Sequence, residues 1–286
     1  MTISLNTVFY NPSINDINCF LSLSKNFDCA QCYINSKLDD NVYNILKKNS
    51  INILGNQKNV GLSKAYNELF KNLKKDKIEF CFLVDQDSRF ESEYVKEFIL
   101  KSLISFKKIY KVGIISMFPK NGLKDIHIEQ IYKRSKYKLE VMDYVINSGS
   151  LIKIKAWHEV GGYDEKLFID RVDFDFCRTL RKKNWLILKS KKHIFCHTFG
   201  REKKSFLGFV KHKSYDEFRY FHFMKSRIYV FQKSKADNNP IKNFFNLIIL
   251  FLQIIKQFIL IFLLENKKFK KLKSSINAII LSTNFK

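Results

Sequence analysis

The sequence predicts an α/β fold, a mostly parallel central sheet flanked by helices, with a C-terminal helical membrane-associating region. Three observations carry this. Short β-branched and aromatic runs alternate with helix-length stretches through the first half of the chain, the pattern of strand–helix–strand units. One run, Phe80 to Val84, is wholly apolar, as a strand buried on both faces must be. Phe244 to Leu264 is apolar apart from Asn246, Gln253, Lys256 and Gln257.

Taken in order, Thr7 to Tyr10 is a first strand, stopped by Asn11-Pro12. Cys29 to Ile34 is a second, and Ile51 to Leu54, ended by Gly55-Asn56, a third. Phe80 to Val84 and Val112 to Met117 are the fourth and fifth. Helices are predicted between them at 13–25, 39–49, 62–75 and 91–107. The stretch 120–150 is polar and carries no clear period. Val145 to Ile152 is strand-like with a Gly interruption, and Gly161-Gly162 marks a turn. Asp170 to Lys183 has helical spacing, with Val172, Phe176 and Leu180 on one face. Trp185 to Leu188 and His193 to Cys196 read as two short strands.

At about 100° per residue, Lys242, Asn246, Gln253 and Gln257 fall in one stripe, with Lys256 at its edge. The segment is therefore an amphipathic helix with a broad greasy face, followed by Lys267-Lys268-Phe269-Lys270-Lys271. It is long enough to cross a membrane. The polar stripe favours a helix lying in the interface, or a helix hairpin packed on the preceding domain. An ordinary buried helix and a helix pairing two subunits, a homodimer, are the alternatives.

The chain has 286 residues, with 46% hydrophobic and 15% aromatic. That is enough to bury a sizeable core and excludes a disordered tail. The 51 basic residues against 27 acidic ones give a net charge of +24. Lys, Asn, Ile and Phe are abundant together, as compositional drift in an AT-rich genome produces. The functional reading of the charge is attraction to anionic headgroups or phosphorylated substrates. Six of the eight Arg lie between Arg171 and Arg227, which drift explains less well, because Arg suits bidentate phosphate contacts. There is no helix-turn-helix or base-stacking motif, so nucleic acid is not an expected partner. The N-terminus lacks the charged start and apolar core of a signal peptide. The six cysteines are accordingly read as reduced thiols in the cytoplasm. Cys29 and Cys32 form a lone CxxC inside a strand, read as buried small hydrophobes.

Ligands of open parallel sheets sit beyond the carboxyl ends of the strands, and Asp85-Gln86-Asp87-Ser88 follows the most buried strand. Two carboxylates two apart there can hold magnesium or manganese, which prefer carboxylate oxygens and accept phosphate as a further ligand. A solvated loop with a capping Ser88 is the plain alternative. Asp170, Asp173 and Asp175 cluster at a helix start, which the helix dipole favours without any catalysis. A catalytic reading makes one of them a base near an acceptor hydroxyl. His197, after a strand, is a structural histidine or a third metal ligand.

The string Asn59-Val-Gly61-Leu-Ser63-Lys-Ala65-Tyr-Asn67 resembles the N-x-G-x-x-x-A-x-N signature of family-two glycosyltransferases. Asp85-Gln86-Asp87-Ser88 resembles the form found in their rhamnosyltransferase-like branch, which serves bacterial surface polysaccharide synthesis. Asn147-Ser148-Gly149-Ser150, the block Gly161 to Asp175, His197, and the aromatic–basic segment from Arg219 continue the resemblance in order, over residues 5–232.

The resemblance implies a GT-A fold and an inverting, single-displacement, metal-assisted transfer. The donor is a nucleotide-diphosphate sugar, with deoxythymidine-diphosphate rhamnose suggested by the branch. The acceptor is lipid-linked, on a lipopolysaccharide or capsule pathway. The enzyme would be peripheral on the inner face of the cell membrane. Carried over by position, Asp85, Asp87 and His197 bind a divalent metal (Mn2+ or Mg2+). Asp173 is the base, and Tyr10, Asn59, Lys64, Asp85, Ser148 and Gly149 bind the donor. Asp170, Asp175 and Trp157 lie on the acceptor side. The expected division is a catalytic domain over 1–232 and an amphipathic helical region over 233–286.

The sequence departs from the family in three places. The base-reading Asp after the second strand is Ile34 here, followed by Asn35-Ser36, with Asp39 and Asp40 nearest. Thr179 replaces an Arg, whose role Arg178 or Arg181 would cover. Asn184 replaces a Gly, and Asn tolerates a left-handed conformation. A membrane-associated scaffold with a degenerate transferase fold is the competing reading, motivated by the missing Asp.

Overall fold

The computed structural model describes residues 1–120, 137–197, 202–204, 211–237 and 239–283. The chain forms two compact units, Met1–Glu165 with Val172–Thr198, and Lys166–Arg171 with Phe199–Lys286.

The first unit begins with β1 (Ile3–Phe9), α1 (Ile14–Ser24), β2 (Cys29–Ile34), α2 (Asp40–Lys48), β3 (Asn52–Leu54), α3 (Leu62–Lys75), β4 (Phe80–Leu83) and β5 (Ser88–Arg89). It continues with α4 (Ser92–Lys108), β6 (Val112–Lys120), β7 (Leu139–Val141), β8 (Ser150–Lys153), α5 (Ile154–Glu159), α6 (Val172–Lys182) and β9 (Leu186–His197). Helix starts follow the capping residues: Ser13 and Asp16 form a reciprocal capping box on α1, and Asp39 caps α2. The sheet runs β3-β2-β1-β4-β8-β6-β9-β5, with β7 also on β9. β1 to β4 pair in parallel, β6 pairs in parallel with β9, and β8 runs antiparallel between β4 and β6.

Alternation along the strands divides the core between the two faces of the sheet. Ile3, Leu5, Phe80, Phe82, Ile115 and Met117 belong to one cluster with Phe20, Leu46 and Phe98 from α1, α2 and α4. Aromatic residues of α3, α5, α6 and the turn after α5 pack on one another separately: Phe70 against Trp157, and Tyr163 against Phe176. Val172, Phe176 and Leu180 are all buried, as the helical spacing requires.

Two expectations change. The short strands expected at 185–188 and 193–196 are one continuous strand, β9. The intervening Lys189-Ser190-Lys191-Lys192 looks like a turn, but each polar group finds a partner in the sheet or on α4. Lys189 lies over Phe118, Lys191 and Lys192 pair with Glu140 and Glu97, and Ser190 bonds His193. Cys29 is exposed while Cys32 is buried. Residues three apart on a strand face opposite ways, so the pair was never going to share one environment. Asn184 does take the left-handed conformation, at φ 59°.

His193 is fully buried, edge-on to Phe98 and Tyr137. Burial lowers its pKa to about 4, with Glu97 opposing and Lys192 assisting. Above the ordinary value near 6.5 the ring is neutral in folded and unfolded chains alike, so it adds no pH dependence there. Between 6.5 and 4 only the unfolded chain takes up the proton, so stability falls as the pH falls, by at most about 3 kcal/mol. Asp85 pulls the other way over this range, so the readout is a difference: from pH 7 to 5 the parent should lose stability relative to His193→Phe in thermal melts. An equal slope in both proteins would refute the assignment.

The second unit holds β10 (Glu202–Lys204) and β11 (Lys211–Lys213), an antiparallel pair, then α7 (Glu217–Lys235), α8 (Pro240–Leu264) and α9 (Lys268–Thr283). Met224 and Ile228 of α7 meet Ala278 of α9, with Leu250, Ile254 and Phe258 of α8 against them. Glu265, at the end of α8, is buried and accepts from Ser214, Tyr220 and Lys271. The outer face of α8 is a run of exposed apolar side chains, among them Phe244, Phe245, Ile248, Phe251, Leu252 and Phe262. By length and composition α8 can cross a membrane, and almost none of it is buried within the protein.

Candidate active site

The buried strand β4 ends at Leu83, and the chain turns through Asp85 to Asp87 into β5, with Ser88 N–H donating to the Asp85 carbonyl at 3.0 Å. The two residues of β5 pair with the last residues of β9, placing Ser88 opposite His197. That pairing brings a histidine from far along the sequence to the two carboxylates. The ligand atoms of Asp85, Asp87 and His197 lie within 4.8 Å of one another, with His197 Nδ1 3.8 Å from Asp87 Oδ1.

A chain of hydroxyls fixes this corner. Ser88 Oγ is 2.8 Å from His197 Nδ1 and 2.7 Å from Ser148 Oγ. Ser148 Oγ also accepts the Asp85 N–H at 3.0 Å. Ser148 therefore holds the backbone of the first carboxylate residue, and Ser88 holds the histidine. Gly149 completes the support with φ +73°, and a Cβ there would sit 2.6 Å from the Phe195 ring, so no other residue fits without moving Phe195.

Asp85 keeps some exposure at its edge, but its carboxyl is enclosed. Burial, then the charges of Asp87 and Asp173, raise its pKa to about 7, against a lowering hydrogen bond from the buried Tyr66 hydroxyl at 3.4 Å. Asp173 stands in the first turn of α6, its Oδ1 accepting the Phe174 N–H at 2.8 Å. Its negative charge is felt by Asp85, Tyr66 and Tyr163. A divalent cation would offset the mutual repulsion of Asp85 and Asp87. Two carboxylates and an imidazole fit manganese, and fit magnesium less well because of the nitrogen ligand.

The other sequence-derived positions are placed as follows. Tyr10 is half exposed at the end of β1. Its backbone N–H and carbonyl are both held by the Gln86 side chain, at 2.8 and 3.1 Å. Asn59 Oδ1 accepts from Asn35 Nδ2 and from the Gly61 N–H. Lys64 lines a cleft of about 590 Å3 with Tyr33, Leu54, Gly55 and Val60. Trp157 is buried and donates to Asn67 Oδ1 at 3.2 Å. Asn67 also takes the Tyr163 N–H at 2.8 Å, so the last residue of the N-x-G-x-x-x-A-x-N string pins the Gly162-Tyr163 turn. Asp175 is buried and pairs with Arg178 at 3.3 Å. Asp170 belongs to the second unit, near Arg219 at 4.0 Å. Asp39 caps α2. The structure thus brings Asp85, Asp87, Ser148, Asp173 and His197 together and turns Trp157 and Asp175 inward.

Sequence reasoning missed Tyr66 and Gln86. Tyr66 occupies a variable position of its motif, and Gln86 acts through backbone atoms far from it in sequence. Neither contact leaves a local signal.

No family model matches the chain. The dTDP-rhamnosyl transferase RfbF of Shigella flexneri is 30% identical over 196 residues, 63% of this chain and 63% of that protein, so the chain matches less than two thirds of this relative's length. Among solved structures, S. aureus TarS 1–349 superposes with a TM-score of 0.60 at 13% identity, covering 99% of this chain and 81% of TarS. TarS in complex with UDP-GlcNAc gives 0.57 at 15% identity over 97% of this chain and 79% of that one. GalNAc-T7 with UDP, GalNAc and Mn2+ gives 0.53 at 11% identity over 69% of this chain and 44% of that one. At these identities the likeness to the solved structures is one of fold.

Proposed function

The chain has a GT-A glycosyltransferase fold, and from that premise we propose that it is an inverting glycosyltransferase. It moves a sugar, rhamnose by its likeness to the Shigella protein, from a nucleotide-diphosphate donor to a lipid-linked saccharide acceptor. The observation that carries this is the convergence of Asp85, Asp87 and His197 beyond β4, with the Asp173 charge acting on Asp85.

Asp85, Asp87 and His197 would hold the cation, which supplies neutralisation of the departing diphosphate. The floor under the sugar is Ser148-Gly149, kept in place by the hydroxyl chain through Ser88. Tyr10, held by Gln86 and half exposed, offers a face to the nucleotide base. Asp173 takes the proton from the acceptor hydroxyl as its oxygen attacks the anomeric carbon. The bond to the diphosphate oxygen breaks in the same step, inverting that centre. Its place in the first turn of α6, where its charge reaches Asp85, supports this role.

The exposed apolar face of α8, followed by the lysines at 267, 268, 270 and 271, fits a membrane surface carrying anionic lipid. Such a surface is where a lipid-linked acceptor resides.

The competing reading, a degenerate scaffold, has one observation behind it. Asn35, beside the missing base-reading Asp, spends its side chain on Asn59 and the Val60 N–H. A panel of nucleotide sugars, measured with manganese, with magnesium and with chelator, separates the two. Metal-dependent binding of a donor is expected. No binding of any donor with any metal would favour the scaffold.

A further inference from the structure

Asp87 presents its carboxylate from a short turn with little packed against it. Its side chain is 51% exposed. The turn residues Asp85, Gln86 and Ser88 border a cavity of about 340 Å3, whose other walls include Thr7, Phe20 and Phe195. Thr7 Oγ1 is buried on that cavity and, among the described residues, has no hydrogen-bond partner. Side-chain packing therefore does not set the direction of Asp87. A ligand held to a useful geometry needs its backbone fixed by other means.

Arg89 fixes it. Arg89 Nη1 donates to the Gln86 carbonyl at 2.8 Å and to the Ser88 carbonyl at 3.0 Å. The Gln86 carbonyl belongs to the peptide plane that enters Asp87. The plane that leaves Asp87 is tied by the Ser88 N–H on the Asp85 carbonyl, and the plane after that by Arg89 again. Two tied planes leave φ and ψ of Asp87 fixed, since these are a residue's only soft backbone torsions.

The other end of the arginine is anchored on a packed helix. Arg89 Nη2 donates to Asp16 Oδ1 at 2.7 Å. The second oxygen of Asp16 accepts the Ser13 N–H at 3.0 Å and the Ser13 hydroxyl at 2.7 Å, the capping box of α1. α1 in turn buries Ile17, Phe20 and Leu23 in the core. As a contribution to stability the Arg89–Asp16 pair is small, because the arginine side chain is 38% exposed. By its charge alone Arg89 opposes a divalent cation held nearby. Its three donated bonds are accounted for by what they hold.

We propose that Arg89 is a positioning residue, a strut from α1 that fixes the backbone around Asp87 and so aims that carboxylate at the cation. The part that concerns the cation rests on the transferase reading; the hold on the backbone does not.

The test uses the full chain as wild type, Arg89→Met, Arg89→Lys, Asp16→Asn, and the double variant Arg89→Met with Asp16→Asn. The first measurement is hydrogen exchange of the metal-free proteins, read on the peptide spanning 84–90. Exchange there should be about tenfold faster in Arg89→Met and unchanged in peptides from β2 and α3. The second is manganese affinity, with the ion titrated alone and its free form followed by paramagnetic resonance. Arg89→Met should bind about tenfold to a hundredfold more weakly, the usual scale for a group that orients a metal ligand. Loss of the positive charge acting by itself would tighten binding instead, so the sign separates the two accounts. Arg89→Lys keeps the charge and loses the fork, and should recover at most part of the loss. Asp16→Asn should weaken binding in the parent and add nothing in Arg89→Met, because it acts through the arginine.

Unchanged exchange at 84–90, or a rise spread evenly over the chain, overturns the strut. So does tighter manganese binding in Arg89→Met, or full recovery in Arg89→Lys. Additive losses in the double variant overturn the anchor on α1. Should Arg89→Met melt early, Arg89→Lys carries both measurements. No manganese binding by wild type counts against the metal site of the transferase reading, and the exchange measurement then decides the strut by itself.

Discussion

Asp87→Ala should reduce sugar transfer by about a thousandfold or more while the melting temperature stays close to that of the parent. The first half of this expectation follows from the ligand set. With Asp87 gone, one carboxylate and one imidazole remain, too few protein ligands to hold manganese beside a diphosphate. The second half follows from exposure. The Asp87 side chain is 51% exposed and packs in no core, and surface changes of that kind usually cost less than about 0.5 kcal/mol. Removing its charge also relieves Asp85, whose pKa Asp87 helps to raise. The measurements are initial rates with the preferred donor, manganese affinity by calorimetry, and a thermal melt. A variant that folds and still turns over within tenfold of the parent would remove Asp87 from the metal site.

Asp173→Asn should lower kcat by about a hundredfold to ten-thousandfold and leave donor and manganese binding nearly unchanged, since a positioned base contributes on that scale. The amide is close in shape, and its oxygen can still accept the Phe174 N–H that Asp173 Oδ1 now takes. What it lacks is the ability to receive a proton. The split between kcat and binding distinguishes this loss from that of Asp87→Ala, where metal affinity falls as well. A parallel loss of donor binding would make Asp173 a structural residue, and an unchanged kcat would leave the base unassigned.

Much of this architecture is legible in the sequence because buried strands read as apolar runs. β2 occupies Cys29–Ile34 and α3 occupies Leu62–Lys75, both where the pattern puts them. β9 is misread because Lys189 to Lys192 carry their charges to partners on β6, β7 and α4, contacts that no local pattern announces. The carboxylates of the site are visible because they follow the most apolar strand. Their support is not, since Ser88 meets Ser148 and His197 across long stretches of chain. Trp157 and Asp175 show the opposite case. Asp175 closes a recognisable block and Trp157 stands just before it, yet Trp157 serves the Asn67 turn and Asp175 serves Arg178, so position in or beside a motif does not say which way a side chain faces.

On the proposed membrane surface, Glu265 would set the waterline of the C-terminal unit. Its carboxylate ties the end of α8 to Tyr220 of α7 and Lys271 of α9, and a buried ion pair of this kind is stable only while all its partners stay with it. Threading α8 through a bilayer would have to pull that knot apart or carry it into hydrocarbon, both costly. Lying flat requires neither: the aromatic and aliphatic side chains go under, and Gln253 with Arg227 stays above.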